Sequence, residues 1–182
     1  PVHSSVSGKV VGVEEILLPN GNKTQAVVIE TDGEQTVCEC VKAPEVTDHA
    51  SFVAAIKASG LVGLGGAGFP THIKLNPKSE VDCLVVNGAE CEPYITVDYR
   101  ECIENAENIL KGVEILKDIL GFKQVIIAIE DNKPKVFRIM KEIADRDNDK
   151  DDAIKLMTLR SRYPQGAEKM MVLSATGRKV PP

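Results

Sequence analysis

Residues 83–88 read CLVVNG, a continuous apolar run that ends in turn-forming residues. Such a run is typical of a parallel strand that is buried on both faces. Two further apolar runs follow it along the chain, QVIIAIE at 124–130 and AIKLMTLR at 153–160. Segments with the three-to-four-residue spacing of amphipathic helices separate the three runs. Strands that alternate with helices predict an α/β domain, in which a parallel sheet is flanked by helices on both faces.

The helical segments have recognisable ends. Residues 45–60 predict a helix with Thr47 or Asp48 as its N-cap and Gly60 as its stop. Residues 101–122 predict one long amphipathic helix, which a glycine near its end would terminate. Two shorter helices are predicted over 134–146 and 166–177.

The N-terminal part of the chain has a different pattern. Residues 1–43 contain short β-branched runs separated by the turn dipeptides Asn20-Gly21 and Asp32-Gly33. This pattern predicts an all-β segment of about four short strands, too small to bury a core alone and therefore incomplete. The predicted domains are thus residues 1–43 and residues 44–182.

Composition excludes several classes of protein. The 182 residues carry a net charge of −5, and no basic run could neutralise nucleic-acid phosphates. No apolar stretch approaches the roughly 18 residues that a membrane-spanning helix needs. The odd number of cysteines, five, argues for reduced thiols in a cytosolic compartment rather than a disulfide framework. Cys38 and Cys40 are expected on one face of a strand and are too few for a zinc site.

A glycine-rich stretch, GLVGLGGAGFPTHIK, occupies residues 60–74. Gly63, Gly65 and Gly68 satisfy the spacing G-x-G-x-x-G, but a helix precedes them and Phe-Pro-Thr follows, which is not the dinucleotide-binding arrangement. Consecutive glycines can still aim several backbone N–H groups at one anion, and Lys74 could add a charge for a phosphate. The alternative interpretation is a flexible connector.

Polar residues follow the first buried strand directly. Asn87, Glu90 and Glu92 lie at its predicted carboxyl end, where open α/β sheets bind ligands. Their oxygens could accept hydrogen bonds from ring N–H groups and ribose hydroxyls. The alternative is that both glutamates are solvated loop residues. For Cys91 a packed thiol is the favoured interpretation, because no histidine or cation is near it in sequence.

Four motifs together carry a family resemblance: GLVGLGGAGFPTHIKL, VVNGAECEPYITVDYR, IAIEDNKP and RYPQGAEKMMVLSATGRKVP. From about residue 58 onward the chain resembles the C subunit of the Rnf electron-transport complex. More distantly it resembles the NADH-binding flavoprotein subunit of respiratory complex I. The β segment resembles the barrel-sandwich, biotinyl-like part of Rnf C subunits.

The resemblance implies an FMN-binding domain that takes hydride from NADH and passes electrons to iron–sulfur clusters. The implied partners are NADH and the other subunits of a membrane complex, with this protein peripheral on the cytoplasmic face. The 4Fe-4S clusters would be held in a C-terminal region that this chain lacks, so the chain is expected to be a piece of a longer protein. Two alternatives stay open, a component of a soluble reductase of the proline reductase type and a non-catalytic docking scaffold.

The resemblance also implies which residues contact the cofactors. Those of the glycine-rich stretch are Gly63, Gly65, Gly66 and Gly68 around flavin and nucleotide, Phe69 stacked on the nucleotide, and Lys74 near the FMN phosphate. Those farther along the chain are Asn87, Glu90 and Glu92 at the flavin and nicotinamide, and Tyr163, Gly166 and Glu168 lining the flavin pocket. The complex I pattern has Arg in place of Leu64 and Asp in place of Ala89, so two implied contacts are missing.

Overall fold

The structure is a computed structural model that describes residues 2–64, 67–147 and 153–180. The chain forms two compact units, of which the first extends to Asn76 and the second begins at Pro77. Each unit has its own secondary structure and is described separately below. The domain boundary expected after residue 43 stays a prediction.

The first unit starts with an antiparallel hairpin. Strand β1 (Gly8–Leu17) pairs with β2 (Lys23–Thr31), in a register that places Leu17 opposite Lys23. The connection contains the predicted Asn20-Gly21 dipeptide, and Gly21 adopts a φ of 82°. This φ is one that glycine reaches without steric cost, so the first predicted hairpin is confirmed.

The second predicted hairpin is wrong. No strand follows β2 in the described residues before the next helix, so the segment has two strands rather than about four. At the Asp32-Gly33 dipeptide the Asp32 carboxylate accepts the Glu34 N–H at 2.9 Å and the Ser7 hydroxyl at 2.6 Å. These local bonds satisfy the turn without a returning strand. Cys38 and Cys40 consequently lie in a turn and not on the face of a strand.

Helix α1 (His49–Ser59) has both predicted ends. Asp48, rather than Thr47, is its N-cap: the carboxylate accepts the Ser51 N–H at 2.8 Å, and the Ser51 hydroxyl accepts the Asp48 N–H at 3.0 Å. Gly60 ends the helix in the left-handed region with a φ of 69°. A one-turn helix that was not predicted, α2 (Thr71–Lys74), follows the glycine-rich loop.

The second unit is built on a parallel three-stranded sheet. Strands β3 (Cys83–Gly88), β4 (Gln124–Glu130) and β5 (Ile154–Leu159) lie side by side in that order. The central strand β4 is buried along nearly its whole length. The predicted strands and their parallel arrangement are confirmed.

Helices cover both faces of this sheet: α3 (Val97–Glu104), α4 (Ala106–Leu120), α5 (Pro134–Asp147) and α6 (Glu168–Thr176). On one face, alternate β4 side chains pack against α3, α4 and α5. The buried residues of this hydrophobic cluster include Leu110, Val113, Val125, Ile127, Ile129, Val136 and Met140. On the other face, Ala128 and Leu159 pack against Met171 of α6. Within the described ranges, no helix is both long and apolar enough to cross a bilayer.

The prediction of one long helix over 101–122 is wrong. The helical region starts earlier, at Val97, and breaks at Asn105, whose φ of −125° and ψ of 25° are not helical. The Asn105 side-chain amide donates to the Glu101 carboxylate at 3.0 Å, a local bond that accompanies the break. The predicted end at Gly121 is confirmed, with a φ of 69°.

Replacing Ile127 with alanine tests the two-faced burial of β4. Ile127 is 1% exposed, so the change leaves a cavity, and we expect the free energy of unfolding to fall by about 2–5 kcal/mol. The control is Ile115→Ala on α4, whose side chain is 44% exposed, and there the loss should be about 1 kcal/mol or less. Equilibrium urea denaturation followed by circular dichroism measures both. Equal losses would contradict the assignment of β4 to the core.

Candidate functional site

The loop that follows β3 enters the protein interior at Glu90. Its side chain is 2% exposed, and its two carboxylate oxygens accept backbone N–H groups of α3, from Asp98 at 2.8 Å and from Tyr99 at 3.3 Å. Thr96, the N-cap residue of this helix, makes no side-chain bond to it. Glu90 therefore caps α3 from a distance, where a carboxylate also interacts favourably with the helix dipole.

A buried ion cluster surrounds this cap. Lys133 Nζ lies 3.3 Å from Glu130 Oε2 and 3.9 Å from Glu90 Oε2, and the Glu90 N–H donates to Glu130 Oε2 at 3.2 Å. The exposed fractions of the three side chains are 13%, 1% and 2% for Lys133, Glu130 and Glu90. One ammonium thus serves two carboxylates. The cluster joins the carboxyl ends of β3 and β4 to the starts of α3 and α5.

The surroundings of the cluster are acidic. Burial raises the pKa of Asp98, and the charges of Glu90 and Glu92 raise it further while Lys133 opposes them. Burial, followed by the charges of Asp98 and other nearby carboxylates, raises the pKa of the Cys102 thiol to about 11. Cys102 is therefore a protonated packing residue at neutral pH.

The segment that contains Tyr163, Gly166 and Glu168 is docked on the same strand end. The Asn87 amide donates to the Gly166 carbonyl at 2.8 Å, and the Gly166 N–H donates to Cys91 Sγ at 3.5 Å. A Cβ on Gly166 would lie 2.9 Å from the Ala89 carbonyl oxygen, so only glycine allows this approach. The structure therefore brings the predicted site residues Asn87 and Gly166 into direct contact.

A buried glutamine stabilises this docked segment. Gln165 is 2% exposed, accepts the Arg162 Nε–H at 3.1 Å and donates to the Ser174 hydroxyl of α6 at 3.1 Å. Its neighbour Tyr163 is 74% exposed, and Glu168, the first residue of α6, is also exposed. The segment thus buries the side-chain amide of Gln165 and leaves two predicted site residues, Tyr163 and Glu168, exposed to solvent.

The two glutamates that flank Cys91 have different surroundings. Glu90 is buried and bonded as above, whereas Glu92 is exposed. Tyr94 follows with a φ of 67°, uncommon for a residue other than glycine, and its side chain is fully exposed. Of the two predicted carboxylates, Glu92 is the one that can meet a ligand from solvent.

The glycine-rich loop belongs to the first unit and is closed at its base. The Gly63 N–H donates to the Phe69 carbonyl at 2.8 Å, and the Thr71 N–H donates to the Leu61 carbonyl at 3.1 Å. Gly68 has a φ of 59°, which requires a residue tolerant of the left-handed region. These two backbone hydrogen bonds favour a loop with a fixed base over a flexible connector. Gly65 and Gly66 lie outside the described residues.

Gly63 has no internal reason to be glycine. Its φ is not positive, and among the described residues the atom nearest to a Cβ there would be the Phe69 carbonyl oxygen at 3.7 Å, which is an ordinary contact. Phe69 is 48% exposed, and Lys74 at the end of α2 is exposed. The loop therefore offers open backbone, an accessible aromatic ring and an accessible ammonium.

The sequence reasoning missed Glu130, Lys133 and Gln165. Glu130 ends an otherwise apolar strand, and a charge at such a position is a local signal of a partner. Its partners lie in other elements, however, so the pattern alone does not identify them. Gln165 carries no signal in its local sequence.

The lysine of the buried cluster can be tested by substitution. Lys133→Met leaves two buried carboxylates without a counter-ion, and we expect a loss of about 3–5 kcal/mol in the free energy of unfolding. Lys135→Met on the exposed side of α5 is the matched control, with an expected change within about 0.5 kcal/mol. Urea denaturation at pH 7 measures both variants. A Lys133 variant as stable as the control would show that the ion cluster contributes nothing.

Two family models of known proteins match this chain, one over its N-terminal segment and one over most of the remainder. The family model described as the Nuo51 FMN-binding domain matches residues 56–182, and the RnfC barrel sandwich hybrid domain matches residues 1–34. A crystal structure of an NAD+-reducing [NiFe]-hydrogenase in the H2-reduced state aligns with a TM-score of 0.58 at 22% identity. It covers 73% of this chain and 25% of that one, and it supports the predicted fold.

Curated relatives match over the whole chain. The chain is 40% identical to the C subunit of the proton-translocating ferredoxin:NAD(+) oxidoreductase complex of Clostridium ljungdahlii, over 99% of its length and 39% of the relative's. It is 41% identical to the C subunit of the Na(+)-translocating ferredoxin:NAD(+) oxidoreductase complex of Acetobacterium woodii, over 100% of its length and 41% of the relative's. The chain thus spans well under half of these relatives. The predicted resemblance to Rnf C subunits is confirmed, and the chain belongs to the Nuo51 FMN-binding domain family.

Proposed function

We propose that this chain is the flavin-binding part of the C subunit of an electron-transfer complex that links NADH to ferredoxin through FMN. The observation that carries the proposal is the edge at the carboxyl ends of β3 and β4. There an exposed carboxylate and a docked glycine segment adjoin a rigid, buried ion cluster. Ligands of open α/β sheets bind at such edges. The family match and the names of the relatives support the same conclusion.

The residues of the second unit have distinct roles in this proposal. Glu92 accepts hydrogen bonds from the flavin ring edge or from a nucleotide ribose, because its carboxylate is exposed. Tyr163 and Glu168 line the site from the docked segment. Asn87 and Glu90 act through the backbone that they hold, since their polar groups already bond to Gly166 and to α3.

The glycine-rich loop supplies a different kind of contact. Gly68 presents its backbone N–H group to phosphate and nucleotide, and Lys74 adds a positive charge for the FMN phosphate. The Gly63 N–H is bonded to the Phe69 carbonyl, so Gly63 contributes by letting the nucleotide approach its backbone closely. The proposed contacts of Gly65 and Gly66 with flavin and nucleotide lie outside the described residues. Phe69 stacks on the nucleotide. The surroundings of Gly63 fit this role, because a side chain there would meet no described residue closer than an ordinary contact.

FMN, when bound, supplies the hydride and single-electron chemistry, so the protein needs no nucleophile of its own. The chain's residues bind and orient the ring. The ion cluster keeps the strand-end loop in one geometry, and the carboxylates around Asp98 give the edge a negative charge. In this proposal, iron–sulfur clusters outside this chain would accept the electrons from the flavin.

The same site suits two settings. The names of the relatives place them in ion-translocating complexes, and we propose a peripheral position for this chain on the cytoplasmic face of such a complex. A soluble reductase of the proline reductase type would use the same flavin site with another acceptor. A docking scaffold without flavin is the alternative from a different class.

Flavin retention tests the proposal and the role of Lys74. The natural full-length protein, reconstituted with FMN, should show visible flavin absorbance after gel filtration. Lys74→Glu should raise the dissociation constant of FMN by more than about a hundredfold, because a charge that attracts the phosphate becomes repulsive. The control is Lys57→Glu, the same charge change at the end of α1. A colourless wild-type protein would favour the scaffold, and a Lys74→Glu variant that retains FMN would remove only this lysine from the site.

Gly166→Ala tests the docked segment. The added methyl group would meet the Ala89 carbonyl at 2.9 Å, so the segment must shift away from the strand end. We expect the dissociation constant of FMN to rise about tenfold or more, which corresponds to about 1.4 kcal/mol. Gly112→Ala in α4 has no atom within 4 Å of the new methyl group and is the control. It should bind FMN normally and unfold with about 0.5–1 kcal/mol more free energy. Unchanged FMN binding in the Gly166 variant would separate this segment from the flavin site.

A further inference from the structure

Two thiols that the proposed function does not use lie together after β2. The Sγ atoms of Cys38 and Cys40 are in direct contact, and both residues are exposed. The Cys40 N–H approaches Cys38 Sγ at 3.4 Å, and the Val41 N–H donates to the Cys38 carbonyl at 2.9 Å. The turn therefore holds the two side chains on the same side of the backbone and in reach of solutes.

The other cysteines have different surroundings. Burial raises the pKa of Cys83 and that of Cys102, which keeps both thiols protonated. Cys91 Sγ accepts the Gly166 N–H inside the docked segment. Cys38 and Cys40 are the only exposed cysteines of the chain, all five of which lie in its described part.

We propose that Cys38 and Cys40 form a reversible dithiol–disulfide site that exchanges with low-molecular-weight disulfides. The Cys38 thiolate attacks one sulfur of the external disulfide and releases the first thiolate. Cys40 then loses its proton and attacks Cys38 Sγ, which forms the internal bond and releases the second thiolate. Two electrons pass from the cysteine pair to the external disulfide, and the two protons of the pair go to the released thiolates.

The chemistry of the pair supports this order of events. The hydrogen bond from the Cys40 thiol lowers the pKa of Cys38, whereas the same bond and the charge of Cys38 raise the pKa of Cys40. Because the Cys40 N–H also approaches Cys38 Sγ, Cys38 is the thiolate that attacks first, and Cys40 is the thiol that resolves the mixed disulfide. A disulfide across one intervening residue closes a small ring on an exposed turn, and exposed, constrained disulfides are the readily reduced ones.

Mass spectrometry of the full chain, after incubation with glutathione disulfide, tests the proposal. We expect the peptide that contains both cysteines to lose two hydrogens, to carry no glutathione, and to recover its mass with dithiothreitol. Cys40→Ser should trap one glutathione on Cys38. In the Cys38→Ser variant, Cys40 should react at least about tenfold more slowly, because the thiolate is lost. Cys83→Ser is the control and should behave as the wild type.

Two results would overturn the proposal. One is a peptide in which both thiols stay reduced, although free glutathione added to the same solution does exchange with glutathione disulfide. The other is a peptide that carries two separate glutathione adducts. Circular dichroism of each variant verifies that the fold is retained, so that a negative result refers to the thiols and not to unfolding.

Discussion

The buried contact of Lys133 with Glu90 and Glu130 is the constraint on which the second unit's functional edge depends. Burying a carboxylate without a partner costs several kcal/mol, and here two are buried beside one ammonium. The N-terminal N–H groups of α3, which bond to Glu90, offset part of the free-energy cost of the unpaired negative charge. Capping of α3 and pairing with Lys133 therefore act on the same buried carboxylate, Glu90, and they link the helix start to the ends of β3 and β4.

This constraint separates two glutamates that look alike in sequence. Glu90 and Glu92 lie on either side of Cys91, yet one is buried under α3 and the other is exposed. The sulfur between them receives the Gly166 N–H, which docks the later segment. Because Glu90 is bonded to α3 and lies beside Lys133, it anchors the loop in which Glu92 is exposed. In the proposed function, this anchoring of Glu90 positions Glu92 for a ligand.

The parts of the fold that the sequence predicted are those with a local cause. The apolar run of β4 is buried on both faces, and Gly60 and Gly121 end helices with the positive φ that glycine permits. The two wrong predictions, a second hairpin and one long helix, also have local causes. The Asp32 carboxylate completes its own turn, so no strand returns, and the break at Asn105 interrupts no apolar spacing that a pattern could reveal.

The site was less predictable than the fold because its bonds join residues distant in sequence. Asn87 and the carboxylates after β3 were proposed as site residues because polar groups at a strand end are conspicuous, but the pattern could not tell that Glu90 bonds to α3. Lys133 and Gln165 carried no such signal at all. Their roles depend on partners in other elements, which only the folded chain brings near.

Two glycines illustrate two different reasons for this residue type, close packing within the protein and the proposed approach of a ligand. At Gly166 the protein's own Ala89 carbonyl occupies the space of a side chain, so packing alone explains the glycine. At Gly63 neither a positive φ nor a close neighbour in the described part of the chain demands one. A position that has room for a methyl group but carries none, within a loop whose base is bonded shut, is most simply explained by a ligand that approaches the backbone. That contrast supports the proposal that the loop binds phosphate and nucleotide, beyond its content of glycine.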